Sequence, residues 1–159
     1  MLVRDIMTSP AITVTEGTPV PEVAQLMLDR NIGAVIVVDG DGQLAGLITE
    51  TDFTGIGRAV PFSLRLAPVI FGARAASLAE LQEIYERARK LDAAAVMTSD
   101  IRTVTEDMPV GEVVHLMLDS ELKHVPVLRG ADGKRHGAPV GMVARHDVLK
   151  LVVDKLLRA

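Results

Sequence analysis

Apolar residues follow two rhythms along the chain, and the two rhythms come in the same order twice. Val20, Val23, Ala24 and Met27 fall at helical spacing; the continuous run "AVIVV", the turn formers "DGDG" from Asp39 to Gly42, and "LAGLIT" follow. Steps of three and four residues mark one face of a helix, while two short apolar runs around a glycine-rich turn mark a β-hairpin. Val110, Val113, Val114 and Met117 restart the helical rhythm, and "HVPVL" then restarts the extended one. A short extended segment, "AITV", precedes the first helix, and a further helix is expected to begin near Thr51 or Asp52. The predicted unit is β-α-β-β-α. Thr18, before Pro19, is expected to cap the first helix with proline in its first turn; Met108 is a poorer cap in the second copy.

Placing Met7 over Met97, an offset of 90, sets "MTSPAITVTEGTPVPEVAQLMLD" over "MTSDIRTVTEDMPVGEVVHLMLD", and fifteen of the 23 pairs are identical. That is duplication. Five extra residues in "RGADGKRHGAP" move the offset to 95, so that Gly46 meets Gly141 and Asp52 meets Asp147. A three-stranded sheet with two helices leaves one face uncovered, so two copies are expected to pack about a pseudo-twofold axis into one α+β structural unit. The expected boundaries are a first repeat over 1–54, a connector over 55–92 and a second repeat over 93–159. The connector is predicted to hold a helix near 78–91. It has a capping box from Ser77 to Glu80 and an apolar stripe of Leu78, Leu81, Ile84, Tyr85, Ala88 and Leu91. Residues 60–73 form an apolar stretch broken by Pro61 and Pro68, either a surface-covering or partner-binding arm or ordinary core of the connector.

Composition adds an assembly and removes several partners. At 159 residues the chain holds one ordinary core or two very small ones, yet 48% of it is hydrophobic and the mean hydropathy is +0.30. The surplus is expected to face a second copy, giving a homodimer through helices of both repeats. A net charge of −4 gives no electrostatic case for nucleic acid or an anionic membrane. Without cysteine there is no disulfide, thiol nucleophile or thiolate metal site. The first ten residues lack a signal-peptide core, and no apolar run approaches the ~20 residues that span a bilayer, so a cytoplasmic protein is expected. His115, His124, His136 and His146 lack metal-ligand spacing, and Met7, Met27, Met97 and Met117 read as core filler. No Ser/His/Asp set, phosphate-binding glycine loop or acid pair is evident. An enzyme is not expected, nor is a required cofactor.

Candidate chemistry lies where a strand meets a helix. "GLITETD" runs from Gly46 to Asp52 and "GMVARHD" from Gly141 to Asp147. A carboxylate such as Asp52 can accept both hydroxyls of a ribose diol, the Thr49 hydroxyl can donate to phosphate, and the helix start offers free N–H groups. Equally, Asp52 can cap its helix and Thr49 can be an ordinary β-branched strand residue. In the second copy Ala144 removes the hydroxyl, while Arg145 and His146 add basic donors beside Asp147. Arginine binds phosphate through a planar fork, so the first site is expected to be phosphate-light and the second to suit a more anionic ligand. The alternative for Arg145 is a solvated charge at a helix start.

These motifs together, "MT", a strand, a "P-V-x-E-V" helix, "AVIVVDGDGQLAGLITETDF" and "KHVPVL…GMVARHDVL", resemble tandem CBS domains, the pair called a Bateman module. The resemblance covers roughly residues 1–54 and 93–153, and no accompanying catalytic domain is recognised, so a stand-alone pair is expected. It implies a cleft between the repeats that binds AMP, ADP, ATP or an S-adenosyl compound, and disc-shaped dimers that regulate a partner protein. It places Lys123, His124, Val125 and Pro126, with Gly33 and Ala34 as their first-copy counterparts, along the adenine and phosphates. The first copy lacks the proline, and Pro126 can also serve merely to stop edge pairing. A second function class stays open, a structural dimerisation module with degenerate, empty sites.

Overall fold

Valine and isoleucine decide the strands. The computed structural model describes residues 1–54, 89–130 and 137–157; the expected connector helix, its capping box and the apolar stretch 60–73 lie outside them. In the first repeat β1 (Thr13–Thr15), α1 (Val20–Arg30), β2 (Ala34–Val38), β3 (Leu44–Thr49) and α2 (Glu50–Thr54) follow in order. After α3 (Ala93–Val96), the second repeat gives β4 (Val104–Thr105), α4 (Val110–Asp119), β5 (His124–Leu128), β6 (Pro139–Ala144) and α5 (Arg145–Leu157). The architecture is α+β, with two three-stranded sheets ordered β1-β2-β3 and β4-β5-β6. β1 runs parallel to β2, β4 parallel to β5, and β5 antiparallel to β6.

The central strands explain the unbroken apolar runs. Ala34, Val35, Ile36 and Val37 are all buried, as are Val125, Pro126, Val127 and Leu128, because a strand with neighbours on both edges and packing on both faces has no solvent side. Val20, Val23 and Met27 of α1 are buried, and Val110, Val113 and Met117 repeat them on α4; Ala24 and Val114 are half-buried. The 3.6-residue period aims those positions at one face.

Pro126 sits on a central strand rather than an edge. Its partner on β6 is Met142, whose own N–H and carbonyl are turned the other way, toward Thr8 at 3.0 and 2.9 Å. Pro126 therefore occupies a pair that exchanges no hydrogen bonds, and its ring nitrogen faces the opposite edge. There β4, pairing only Val127 and Leu128, does not extend to it. The missing donor is not missed.

Thr18 does not cap α1. The helix starts at Val20 with Pro19 as its N-cap and no side-chain cap bond, and α4 starts the same way after Pro109. The Thr18 hydroxyl instead accepts the Thr15 N–H at 3.1 Å and meets the Thr15 hydroxyl at 3.1 Å, closing the turn after β1. At the other helix end Asn31 is left-handed at φ 51° and Glu121 at φ 52°. Asparagine tolerates that conformation and glutamate does not. Glu121→Asn is expected to raise the unfolding free energy by about 1 kcal/mol, read from urea melts.

The compact units cut across the repeat boundaries. One comprises Thr13–Asp39 with Ala45–Ser99; the other comprises Met1–Ile12, Gly40–Leu44 and Asp100–Ala159. Each repeat's "MTS" segment thus serves the sheet of the other repeat. Thr98 exchanges both backbone bonds with Leu47 at 2.9 Å, and Thr8 does so with Met142. Met97 and Met7 then lie over glycines that match in the duplication, Gly46 and Gly141. In the second unit the 3-10 turn Val3–Asp5 buries Val3 completely among Val104, Val113, Met117, Val125, Val127 and Val143.

Candidate functional site

Each sheet hands over to a helix at a junction tied back to the strand before it. The Glu50 N–H donates to the Gly33 carbonyl at 3.1 Å, and the Arg145 N–H donates to the Lys123 carbonyl at 3.0 Å. The sequence-predicted segments "GA" and "KH" are therefore brought beside the predicted aspartate motifs, by backbone contacts, in both repeats.

The aspartates close these junctions. The Thr49 N–H donates to Asp52 Oδ2 at 2.7 Å, and the Ala144 N–H donates to Asp147 Oδ2 at 2.8 Å. This is the reciprocal half of a capping box, the third helical residue reaching back to the residue before the helix. Capping uses one carboxylate oxygen and leaves the other to be placed by its surroundings. Asp147 is only 8% exposed, and its Oδ1 lies 3.9 Å from Lys150 Nζ, an ion pair too long for a hydrogen bond. Asp52 is half-buried, and the Thr49 hydroxyl is bonded to the Thr51 hydroxyl at 2.6 Å and to Asp52 Oδ2 at 3.3 Å. Thr49 thus spends its hydroxyl inside the motif.

The other expected residues separate by burial. Ala34, Val125 and Pro126 are buried, so any contact they make with a ligand runs through backbone; Gly33 and His124 are half-buried. Lys123, Arg145 and His146 are exposed, and Arg145 Nε donates to the Leu122 carbonyl at 3.0 Å. That bond engages one edge of the guanidinium that the sequence offered to phosphate.

A cleft of about 440 Å³ opens beside Asp147, wholly inside the second unit. The amino-terminal segment lines it with Met1, Asp5, Ile6, Met7 and Thr8, and α5 lines it with Asp147, Lys150, Leu151 and Asp154. Sequence reasoning missed Asp5, Lys150 and Asp154. Their signal was present, since 147, 150, 151 and 154 are helix neighbours at three- and four-residue steps. Among the described residues no group of three or more His, Cys, Asp and Glu can hold a metal ion, and no helix is long and apolar enough to cross a membrane.

Two copies of a β-α-β-β-α unit, each with an aspartate-closed strand-to-helix junction, define a tandem-repeat α+β protein. The chain belongs to the CBS domain family, whose pattern matches residues 3–56 and 93–154. It is 37% identical to the CBS domain of a CBS domain containing membrane protein from Sphaerobacter thermophilus, covering 95% of this chain and 87% of that one with a TM-score of 0.72. It is 25% identical to a CBS domain pair solved in complex with 5′-methylthioadenosine and S-adenosyl-L-methionine, covering 98% of both chains with a TM-score of 0.67. Among curated proteins, an uncharacterized 17.7 kDa protein of Acidianus ambivalens is 25% identical, over 96% of this chain and 73% of that one. An L-aspartate semialdehyde sulfurtransferase of Methanocaldococcus jannaschii is 28% identical, but this chain spans 24% of its length.

Proposed function

We propose that the chain is a regulatory, non-catalytic module that senses an adenosine-containing ligand and, on binding it, changes how it meets a partner protein. The observation that carries this is Asp147. It is buried at the wall of a ligand-sized cleft, with one oxygen spent on the backbone and the other held short of any hydrogen bond. A carboxylate so placed suits a ribose diol, and the related pair solved with 5′-methylthioadenosine and S-adenosyl-L-methionine binds molecules that contain one. Asp52 offers the same chemistry in the first repeat. The likeness to the sulfurtransferase supports no activity of this chain, because most of that enzyme lies beyond the shared region.

Thermal unfolding with AMP, ADP, ATP, S-adenosylmethionine and 5′-methylthioadenosine at millimolar concentration tests the proposal. A ligand at 100 times its dissociation constant adds about 2.7 kcal/mol, a readily measured rise in Tm. Absence of a shift with all five overturns it and favours an architectural role.

Assembly belongs to the same proposal. Leu28 and Leu118, equivalent positions of α1 and α4, are 76% and 67% exposed, and Leu149, Val152 and Val153 form an exposed apolar strip on α5. A second copy is the proposed cover for helices of both repeats. Light scattering is expected to give twice 17.0 kDa at micromolar concentration, and Leu28→Glu with Leu118→Glu to halve that mass. A monomer before substitution excludes the dimer.

A further inference from the structure

Met7 packs against the valine core of the second unit and also lines the cleft beside Asp147, so one thioether side chain links the sheet to a space open to solvent. We propose that Met7 is a reversible oxidation site, at which hydrogen peroxide converts the thioether to a sulfoxide and so loosens the amino-terminal segment from the edge of β6.

The cleft gives the oxidant its access. Met7 is half-buried, whereas Met27 and Met117 are 6% and 3% exposed on the inner faces of α1 and α4. A cavity of about 440 Å³ has ample room for a molecule as small as hydrogen peroxide. Gly141 gives the oxidation its consequence. Met7 Sδ lies 2.7 Å from the place a Cβ on Gly141 would take, so the sulfur fills the space that the missing side chain leaves over β6. No further atom fits on that side. The backbone on either hand is already engaged: the Met7 N–H donates to the Val3 carbonyl at 2.9 Å, and Thr8 exchanges bonds of 2.9 and 3.0 Å with Met142. In the reaction a sulfur lone pair attacks one peroxide oxygen, and the S–O bond forms as the O–O bond breaks. The proton on the transferred oxygen passes to the departing hydroxide, which leaves as water; the sulfide loses two electrons and the peroxide gains them. The product is a polar, chiral side chain with a strong acceptor oxygen. Burying that acceptor without a donor is costly, so the sulfoxide leaves the strand for the cleft and strains the Thr8–Met142 pair. Met97 repeats the contact over Gly46 in the first unit, so the reading in the second unit has to be isolated at Met7 itself.

The intact chain is treated with graded hydrogen peroxide, mapped by peptide mass spectrometry, and followed by amide hydrogen exchange. Met1, 60% exposed, and Met7 are expected to oxidise well before Met27 and Met117. Exchange at the Thr8 and Met142 amides is expected to speed up about tenfold once Met7 is oxidised, and to return when the two methionine sulfoxide reductases and a dithiol restore the sulfide. Met7→Leu keeps the apolar volume without the sulfur and is expected to hold those two amides protected through the same treatment. Met7→Gln, a polar side chain of similar length, is expected to expose them with no peroxide present. Met7 remaining as resistant as Met27 and Met117 overturns the proposal, as does full Met7 oxidation with the Thr8 and Met142 amides still protected. The same loss of protection in peroxide-treated Met7→Leu assigns the effect to another residue and overturns it too. Parent-like protection of both amides in Met7→Gln also counts against it, and the reductase reversal on the unsubstituted chain decides the matter if either variant fails to fold.

Discussion

A chain beginning at Thr13 is expected to keep a folded first unit and lose the second. Met1–Ile12 belongs to the second unit, although it opens the first repeat. Val3 is fully buried in the second unit's valine core, and withdrawing one such side chain forfeits about 1.5–3 kcal/mol of burial. The same segment donates the Val3 N–H to Met108 at 2.8 Å and the Arg4 N–H to Glu106 at 3.0 Å, and exchanges two bonds between Thr8 and Met142. Its removal strips the outer edge of β6 and uncovers Val143 and Val104. Whole domains have only ~5–15 kcal/mol in hand, so these losses are on the scale of the unit's entire stability. Hydrogen exchange gives a polarised reading: amides of Val125 and Val127 should lose protection while those of Val35, Ile36 and Val37 keep it. Equal protection in both sheets after the deletion would show that the exchanged segment is dispensable.

The same seam can be probed at one atom. A Cβ at Gly141 would sit 2.7 Å from Met7 Sδ and 2.8 Å from the Thr8 carbonyl oxygen; at Gly46 its three nearest neighbours would be Met97 Sδ, Cγ and Cβ, at 2.5, 2.7 and 2.9 Å. The Met97 sulfur and Cγ can swing aside but its Cβ is fixed by the backbone, and the Thr8 carbonyl cannot move without breaking the bonds to Met142. Gly141→Ala and Gly46→Ala are therefore each expected to cost about 1–3 kcal/mol, read from urea melts.

This exchange of segments marks where sequence legibility ends. Hydrophobic periodicity reports which face of each element is buried, and it located the strands of both sheets, helices α1 and α4, and the hairpin turn at Asp39 to Gly42. Fifteen identities in 23 located the duplication. Neither signal says which sheet edge a flanking segment will join, because "MTS" is the same in both copies and fits either edge equally well. Only chain connectivity and packing break that tie. The Thr18 cap failed for a related reason: a hydroxyl three residues after a strand end can close its own turn or cap a helix, and Thr15 was the nearer partner. Arg145 was legible as a cation at the second junction but not as one partnered by the Leu122 carbonyl, since that contact spans 23 residues. The capping role of the aspartates was legible in the sequence and is visible in the hydrogen bonds, while the ribose role is the one proposed above.

Because one oxygen caps and the residue lines a cleft, Asp147→Ala is expected to lower both stability and affinity, by separable amounts. Loss of the bond to the Ala144 N–H costs about 1 kcal/mol of unfolding free energy, the usual worth of a side chain at a helix amino end. Loss of a charged acceptor for a ribose diol costs about 1.5–3 kcal/mol of binding, which is roughly 10- to 150-fold in dissociation constant. Asp147→Asn divides the two effects. Its amide oxygen can still accept the Ala144 N–H, so the melting temperature should recover, but its NH2 group faces the diol with donors and without charge, so affinity should stay low. Asp52→Ala is expected to give the same signature at the first junction, softened by the Thr49 and Thr51 hydroxyls that share its bonding. Melting curves and calorimetric titration on the same preparations read the two quantities independently. If Asp147→Ala melts early yet binds as tightly as the parent, the aspartate is a helix cap alone and the cleft beside it holds no ribose.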